Sequence, residues 1–271
     1  MDPASERDRL QAAADELAAA CDRMTFGGEA GLVYNPLVYA RPGYAAYVER
    51  YGQGTGRVLL VGMNPGPFGM VQTGVPFGHV GLVRDWMGIH ATIGVPPREH
   101  PKRPVTGFAC AREEVSGRRL WGWAKSRFGT AERFFRDFFV VNYCPLAFVE
   151  ESGRNRTPDK LPAAARAALF AACDAALAEC IDALDPRLVV GIGAFAAERA
   201  CAAASARGVA CGAIPHPSPA SPAANRGWSE AAEKAFAGLG VTLPDAPEDA
   251  ASGHTSVGHS VSRGSRRGQQ P

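Results

Sequence analysis

The sequence predicts a three-layer α/β/α protein around a short, mainly parallel four-stranded sheet. Two observations predict it. Four short apolar runs, Val58 to Val61 within 57–63 (RVLLVGM), 138–141, 188–192 and 209–214, stand out, as expected of strands buried on both faces. Helical patterns separate the last three runs and follow the fourth, so strand and helix alternate through the C-terminal half. That alternation implies parallel pairing through right-handed crossovers.

The helices carry start and stop signals. Residues 5–23 place Leu10, Leu17 and Cys21 on one face among alanines, which predicts an amphipathic opening helix. Residues 161–184 are alanine-rich, introduced by Thr157-Pro158 and closed before Pro186, as a helix begins and ends. A further helix is predicted over 194–206, ended by Gly208. The last spans 225–239, with Trp228, Ala232, Phe236 and Leu239 at helical spacing and Gly240 beyond. Residues 73–116 are rich in glycine, proline and charge, and are predicted to form long functional loops over the carboxyl ends of the strands. From Pro244 onward large apolar residues almost vanish. One domain over 1–243 and a disordered tail over 244–271 are therefore expected.

Composition narrows the class. In 271 residues, 46% hydrophobic and 21% charged, no apolar run approaches the roughly 20 residues of a membrane span. The opening MDPASERDRLQ is charged and lacks the apolar core of a secretory signal, so a cytoplasmic location is expected, with nucleoid association in a bacterium. Seven cysteines, with no C-x-x-C pair, argue against a disulfide framework and a zinc ribbon. They read as reduced, mostly buried thiols, and no metal or cofactor is expected. Net charge is only +2, but between Arg98 and Arg136 ten basic residues face four acidic ones, with Trp121, Trp123 and Phe128 interleaved. This is either a solvated face or a nucleic-acid footprint.

Open α/β sheets bind ligands beyond the carboxyl ends of their strands. Asn64 follows the first run, Asn142 the second and His216 the fourth. Singly, the asparagines read as strand-end caps, His216 as a histidine before a proline turn, and Phe77 as a core aromatic. Their context is unusual: GMNPGPFGMVQTGVPFG (62–78), VNYCPLAF (141–148) and HPSPASPAANRGW (216–228). These segments resemble the active-site motifs of the single-strand-selective monofunctional uracil-DNA glycosylases, within the uracil-DNA glycosylase superfamily. The likeness runs in order from about Met24 to Leu243.

The resemblance implies the superfamily fold, a DNA substrate, and a monomer with no membrane partner. It places Asn64 where a residue orients the attacking water. An amide accepts no proton at neutral pH, so the reaction it implies is dissociative. His216 takes the position that donates a hydrogen bond to uracil O2 as negative charge develops there, a task for which neutral imidazole suffices. Asn142 matches the base-reading asparagine: its amide donates to O4 and accepts from N3–H, a pattern cytosine cannot satisfy. Phe77 is expected to stack on the flipped base. Met63, Gly66, Phe68 and Met70 are expected to line the pocket near C5, where a bound water admits oxidised 5-substituents.

Pro217, Ser218, Pro219 and Ala220 fall in the loop implied to press into DNA, and Arg118 and Arg119 are candidate phosphate contacts. Ala220 stands where vertebrate members carry an arginine that helps prise the duplex apart. Two other readings remain. Gly191, Gly193 and Ala196 fit G-x-G-x-x-A between a strand and a helix, as in dinucleotide-binding enzymes, although no acidic residue follows the next strand before Glu230. A non-catalytic DNA-binding relative would keep the fold and release no base.

Overall fold

The computed structural model describes residues 4–27, 31–221 and 224–247. The predicted disordered tail, apart from residues 244–247, lies outside the described residues. The elements in chain order are α1 (Glu6–Asp22), β1 (Leu32–Tyr34), α2 (Pro36–Tyr39), α3 (Arg41–Tyr51), β2 (Val58–Gly62), α4 (Met70–Thr73), α5 (Val115–Phe128), α6 (Ala131–Asp137) and β3 (Phe138–Asn142). There follow β4 (Ala147–Val149), β5 (Asn155–Arg156), α7 (Ala163–Leu184), β6 (Leu188–Ile192), α8 (Ala194–Ser205), β7 (Cys211–Ile214) and α9 (Trp228–Gly238). Among the described residues no helix is long and apolar enough to cross a membrane.

The four apolar runs form one parallel sheet in the order β3-β2-β6-β7. The predicted fold class is therefore the observed one. Leu60 pairs with Val140 on one side and Val190 on the other, so β2 is central and buried throughout. Alternate residues of β3 reach opposite layers, as a strand's period of two requires. Phe138 packs against Trp123 of α5, Phe134 of α6 and Phe236 of α9. Phe139 stacks on Tyr47 of α3. On that second side α1 packs against α3 and α7, and α8 lies beside α7 over β6 and β7.

Several expectations need correction. Trp121, Trp123 and Phe128 are core residues, buried on the inner face of α5; they cannot interleave with arginines on a DNA-facing surface. The segment 73–116 is less irregular than predicted, containing a helical turn at Leu82–Trp86 and another at Gly107–Ala109. A second, antiparallel sheet, β1-β4-β5, had no sequence signal, since its strands are three, three and two residues long. Nor are all the cysteines thiols. Cys201 on α8 and Cys211 at the start of β7 form a disulfide with Cα atoms 5.3 Å apart, because the chain turns back at Gly208 and sets the helix against the strand. Cys21, Cys110, Cys144, Cys173 and Cys180 are free.

Candidate active site

The carboxyl ends of β2, β3 and β7 open on one cavity of about 230 Å³, lined by Met63, Asn64, Gly66, Pro67, Phe77, Glu114, Ser116, Asn142, Asn155, Thr157, His216 and Ser218. Parallel register brings the two asparagines together: Gly62 pairs with Asn142, and the pairing continues past the strands through Tyr143 N–H to Gly62 O and Cys144 N–H to Met63 O, both 2.9 Å.

Asn64 is oriented by its amide nitrogen, which donates to Leu146 O (3.2 Å) and Pro65 O (3.4 Å). With Nδ2 committed to two carbonyls, Oδ1 is the end left to accept. Asn142 differs. Its Nδ2 donates to Met70 Sδ (3.3 Å), a weak acceptor, and its buried Oδ1 has no donor among the described residues. A buried carbonyl without a donor costs about 1–3 kcal/mol, which a ligand N–H would relieve.

Gly62 makes this arrangement possible. A Cβ there would stand 2.5 Å from both Asn142 Oδ1 and Phe77 Cε2, so only glycine lets the Asn142 amide and the aromatic ring share its surface. Phe77 adopts φ 55°, a region that costs a non-glycine residue energy and tends to mark functional positions. The turn before it is fastened by Thr73 Oγ1, which accepts from Val75 N–H at 3.2 Å, and by Trp121 Nε1, which donates to Pro76 O at 3.2 Å.

His216 is half-buried, and its ring centroid lies 6.1 Å from that of Phe77. Ser218 N–H donates to its Nδ1 at 3.0 Å. The neutral ring therefore carries its proton on Nε2. Burial pushes the imidazole pKa down to about 4, because the cavity solvates the cation poorly. The group is thus a neutral Nε2–H donor at physiological pH.

The remaining predicted residues divide. Met63 and Gly66 line the cavity, and Ser218 joins them from the loop after β7. Met70 sits behind Asn142 and borders a separate small cavity. The Phe68 ring is held between Arg103 and Arg112, whose guanidinium carbons lie 5.1 and 4.6 Å from its centroid; it is not among the cavity-lining residues. Pro217 is buried, whereas Pro219 and Ala220 are exposed. Arg118 is exposed and pairs with Glu113 at 3.4 Å. Arg119 instead donates to Pro217 O (2.8 Å) and to Asn225 Oδ1 (3.1 Å). Gly193, part of the dinucleotide-like motif, has φ 87°, and a Cβ there would come 3.0 Å from His216 Cβ. At Gly191 a Cβ would strike Ala197 Cα at 2.1 Å. Both glycines therefore serve close packing of α8 and His216 against the sheet.

Sequence reasoning missed Glu114, Ser116, Asn155 and Thr157. Glu114 is the only carboxylate on the cavity lining among the described residues. Its pKa is raised by burial, against the lowering effect of the Ser116 and Phe68 backbone N–H groups. A Cβ at Gly66 would lie 2.3 Å from its Oε2, so the loop glycine is matched to this acid. Asn155 Nδ2 reaches Pro65 O at 3.5 Å. Also missed was Gln72, fully buried. Its Nε2 donates to Pro67 O and Pro104 O, both 3.0 Å, while Oε1 accepts from Thr106 and Gly107 N–H at 2.9 and 3.1 Å. Only the motif pointed to that region; a glutamine in a loop sequence carries no burial signal of its own.

Sheet and cavity define an α/β enzyme with amides and a neutral imidazole gathered at the carboxyl edge of a parallel sheet. The chain belongs to the uracil DNA glycosylase superfamily, whose family profile matches residues 49–239. It is 49% identical over 227 residues to the single-strand selective monofunctional uracil-DNA glycosylase of Rattus norvegicus, covering 83% of this chain and 82% of that protein. The Bos taurus enzyme of the same description is 49% identical over 221 residues, covering 81% of each. The solved structure of wild-type SMUG2 from Pedobacter heparinus superposes with a TM-score of 0.58, covering 84% of this chain and 97% of that one; at 17% identity it bears on the fold alone.

Proposed function

We propose that this protein is a monofunctional DNA glycosylase that hydrolyses the N-glycosidic bond of uracil, and of related damaged bases, in DNA. The observation that carries the proposal is Asn142, a buried amide with a weakly engaged donor and an unpaired acceptor, beside an aromatic ring in a cavity that also holds Asn64 and His216. Uracil O4 and N3–H fit that donor and acceptor; cytosine, which donates at N4 and accepts at N3, leaves both mismatched. The likeness to curated relatives named for this activity supports the same reading.

The mechanism follows from the groups present. A flipped base enters the cavity against Phe77 and Asn142. No strong base stands at Asn64, so bond breaking precedes attack: the C1′–N1 bond opens to a sugar cation and a uracil anion. His216 Nε2–H donates to O2 as charge gathers there, a contribution on the order of 10²–10³ in rate for one donor. Asn64 Oδ1 accepts from water and aims its oxygen at C1′; the water's proton then leaves to solvent or to the departing base. Among the described residues no lysine lines the cavity, which supports a reading without a Schiff base in which the DNA strand stays intact. Arg118 is proposed to meet backbone phosphate. The backbone of Gly66 to Met70 is proposed to sit near C5 and admit 5-hydroxymethyluracil, while xanthine and hypoxanthine are further candidates.

The test is excision from labelled oligonucleotides carrying each base, with and without alkali. Uracil release leaving an alkali-labile, otherwise unbroken strand is the expected result. Tight DNA binding without base release would mean a non-catalytic relative, and stoichiometric NAD binding would return the glycine motif to a cofactor role.

A further inference from the structure

The loop after β7 carries His216, and its first residue is tied down, Pro215 O accepting from the buried Trp228 indole at 2.8 Å; beyond Pro215 it has few ties to the protein body. Its internal bonds are local: Ser218 N–H to His216 Nδ1, Ala220 N–H to Ser218 Oγ at 3.2 Å, and Ser221 N–H to Ser218 O at 2.9 Å. Pro217 and Pro219 have no N–H to give, so their carbonyls are the available handles. Arg119 of α5 holds the first directly and the second through Asn225. Its Nη1 donates directly to Pro217 O, and its Nη2 donates to Asn225 Oδ1, whose Nδ2 donates in turn to Pro219 O at 2.7 Å. No carboxylate pairs with Arg119 among the described residues, unlike its neighbour Arg118.

We propose that Arg119 is a positioning residue that braces this loop, supplying through stiffness part of what Ala220 cannot supply through size. The inference rests on the functional reading above. Extruding a paired base costs a few kcal/mol, and a long inserted side chain offsets some of that. Ala220 has none to insert. The loop can still press on the DNA backbone if it does not yield, and its two carbonyl anchors flank Ser218, with His216 immediately before the first and Ala220 immediately after the second. The same brace holds the His216 ring, through Ser218, at the height where Nε2 meets O2. A planar guanidinium spans two acceptors in fixed geometry; an ammonium does not.

The experiment is single-turnover excision at saturating enzyme on U:A duplex and on single strands, with DNA affinity measured across a salt series, for wild type, Arg119→Ala, Arg119→Lys, Asn225→Ala and the double alanine variant. Expected is a loss of about tenfold or more on U:A for each single alanine variant and a smaller loss on single strands, in line with the rate cost of small displacements in an active site. The double variant should fall short of the product of the two single losses, because both singles break the shared Arg119–Asn225 bond. Lysine should not restore the rate, and the salt slope should stay that of wild type. Asn225 is exposed, so its alanine variant keeps the test alive if Arg119→Ala fails to fold. A wild-type rate for Arg119→Ala, full rescue by lysine, or a salt slope reduced by about one unit, the signature of a lost phosphate contact, would overturn the brace. A wild-type protein that released no uracil from single strands would overturn the functional reading instead, and this inference with it.

Discussion

The loop that follows β2 and the loop that follows β7 bring polar groups to the same cavity, but the first is fastened from inside the protein and the second, beyond the Pro215 carbonyl held by the Trp228 indole, from its surface. Residues 66–78 are held by Gln72, by Thr73 and by the Trp121 indole, three buried side chains that reach backbone carbonyls or N–H groups. Residues 216–221 are held by one half-buried arginine and one exposed asparagine. On the proposed function, the difference would separate two jobs. Reading a base needs a pocket whose acceptor and donor stay put while unoccupied. Displacing a base from a duplex needs a projection that meets DNA, and a projection cannot be buried. Damage to the first loop should therefore appear as lost stability, and damage to the second as lost rate in a folded protein.

The largest expected effect lies in the second loop. His216→Leu should lower the single-turnover rate by about 10² or more with little change in DNA affinity or melting temperature, since the lost hydrogen bond is made mainly in the transition state. An affinity defect of that size would place the histidine in binding and blur the division between the loops. Gln72→Ala probes the first loop. It leaves the buried Gly107 N–H and the part-buried Thr106 N–H without their acceptor and two carbonyls without their donor, and with solvent reaching some of them the loss should be about 1–3 kcal/mol of folding stability. That is several degrees of melting temperature for a domain of this size. A normal melting curve would mean the loop is held by something other than this amide.

How much of this division was legible in the sequence depended on distance along the chain. The four sheet strands declared themselves, because a continuous apolar run such as 58–61 has one stable home in a parallel sheet. Asn64, Asn142 and His216 were legible for the same reason, each standing just past such a run. Gln72 was not: four partners from Pro67 to Gly107 cannot be read from a polar letter beside a threonine. Glu114 looked like one of several acids in a charged stretch, and only the folded chain sets it under Gly66. Trp121 and Trp123 were misread because α5 alternates arginines outside with aromatics inside, and charge density masked the buried face. The Cys201–Cys211 disulfide escaped an argument from cysteine parity because one pair in seven breaks no pattern. Arg119 and Arg118 are identical letters; one touches the loop and the other solvent.

A smaller effect should follow from lengthening the exposed tip. Ala220→Arg adds a side chain that can fill the space a flipped base vacates, so excision from U:A should rise several-fold while single-strand activity stays nearly constant, no partner base having to be displaced there. U:G should fall between, since a weaker pair leaves less to overcome. Equal acceleration on all three substrates would show general electrostatic attraction and remove the tip from the flipping step.

The smallest expected effect is an absence of titration, and it bears on whether the surface-held loop nevertheless keeps its histidine neutral. Burial holds His216 near pH 4, against about 6.5 for an exposed imidazole. Its folded pKa is depressed, so in the window from about 6.5 down to 4 the unfolded chain binds the proton that the folded chain refuses. Stability from this group is then fully present above 6.5 and falls with acidity by at most about 1.4 kcal/mol per pH unit. Glu114, raised by burial, contributes with the opposite sense: its share is present below the ordinary glutamate value and is lost as pH climbs through the folded one. The two are separated by comparing melting curves of wild type and His216→Leu across pH 4.5–7.5; the acid-side fall due to the histidine should be missing from the variant. Excision behaves differently, because the Nε2–H donor persists as long as the ring is neutral. The single-turnover rate on single-stranded uracil DNA should stay flat between pH 7.5 and 5.5, where the protein remains folded. A rate that halves near pH 6.5 would mean that the proton on Nδ1 matters, that the Ser218 N–H does not hold the ring as described, and that the loop is looser than its hydrogen bonds imply.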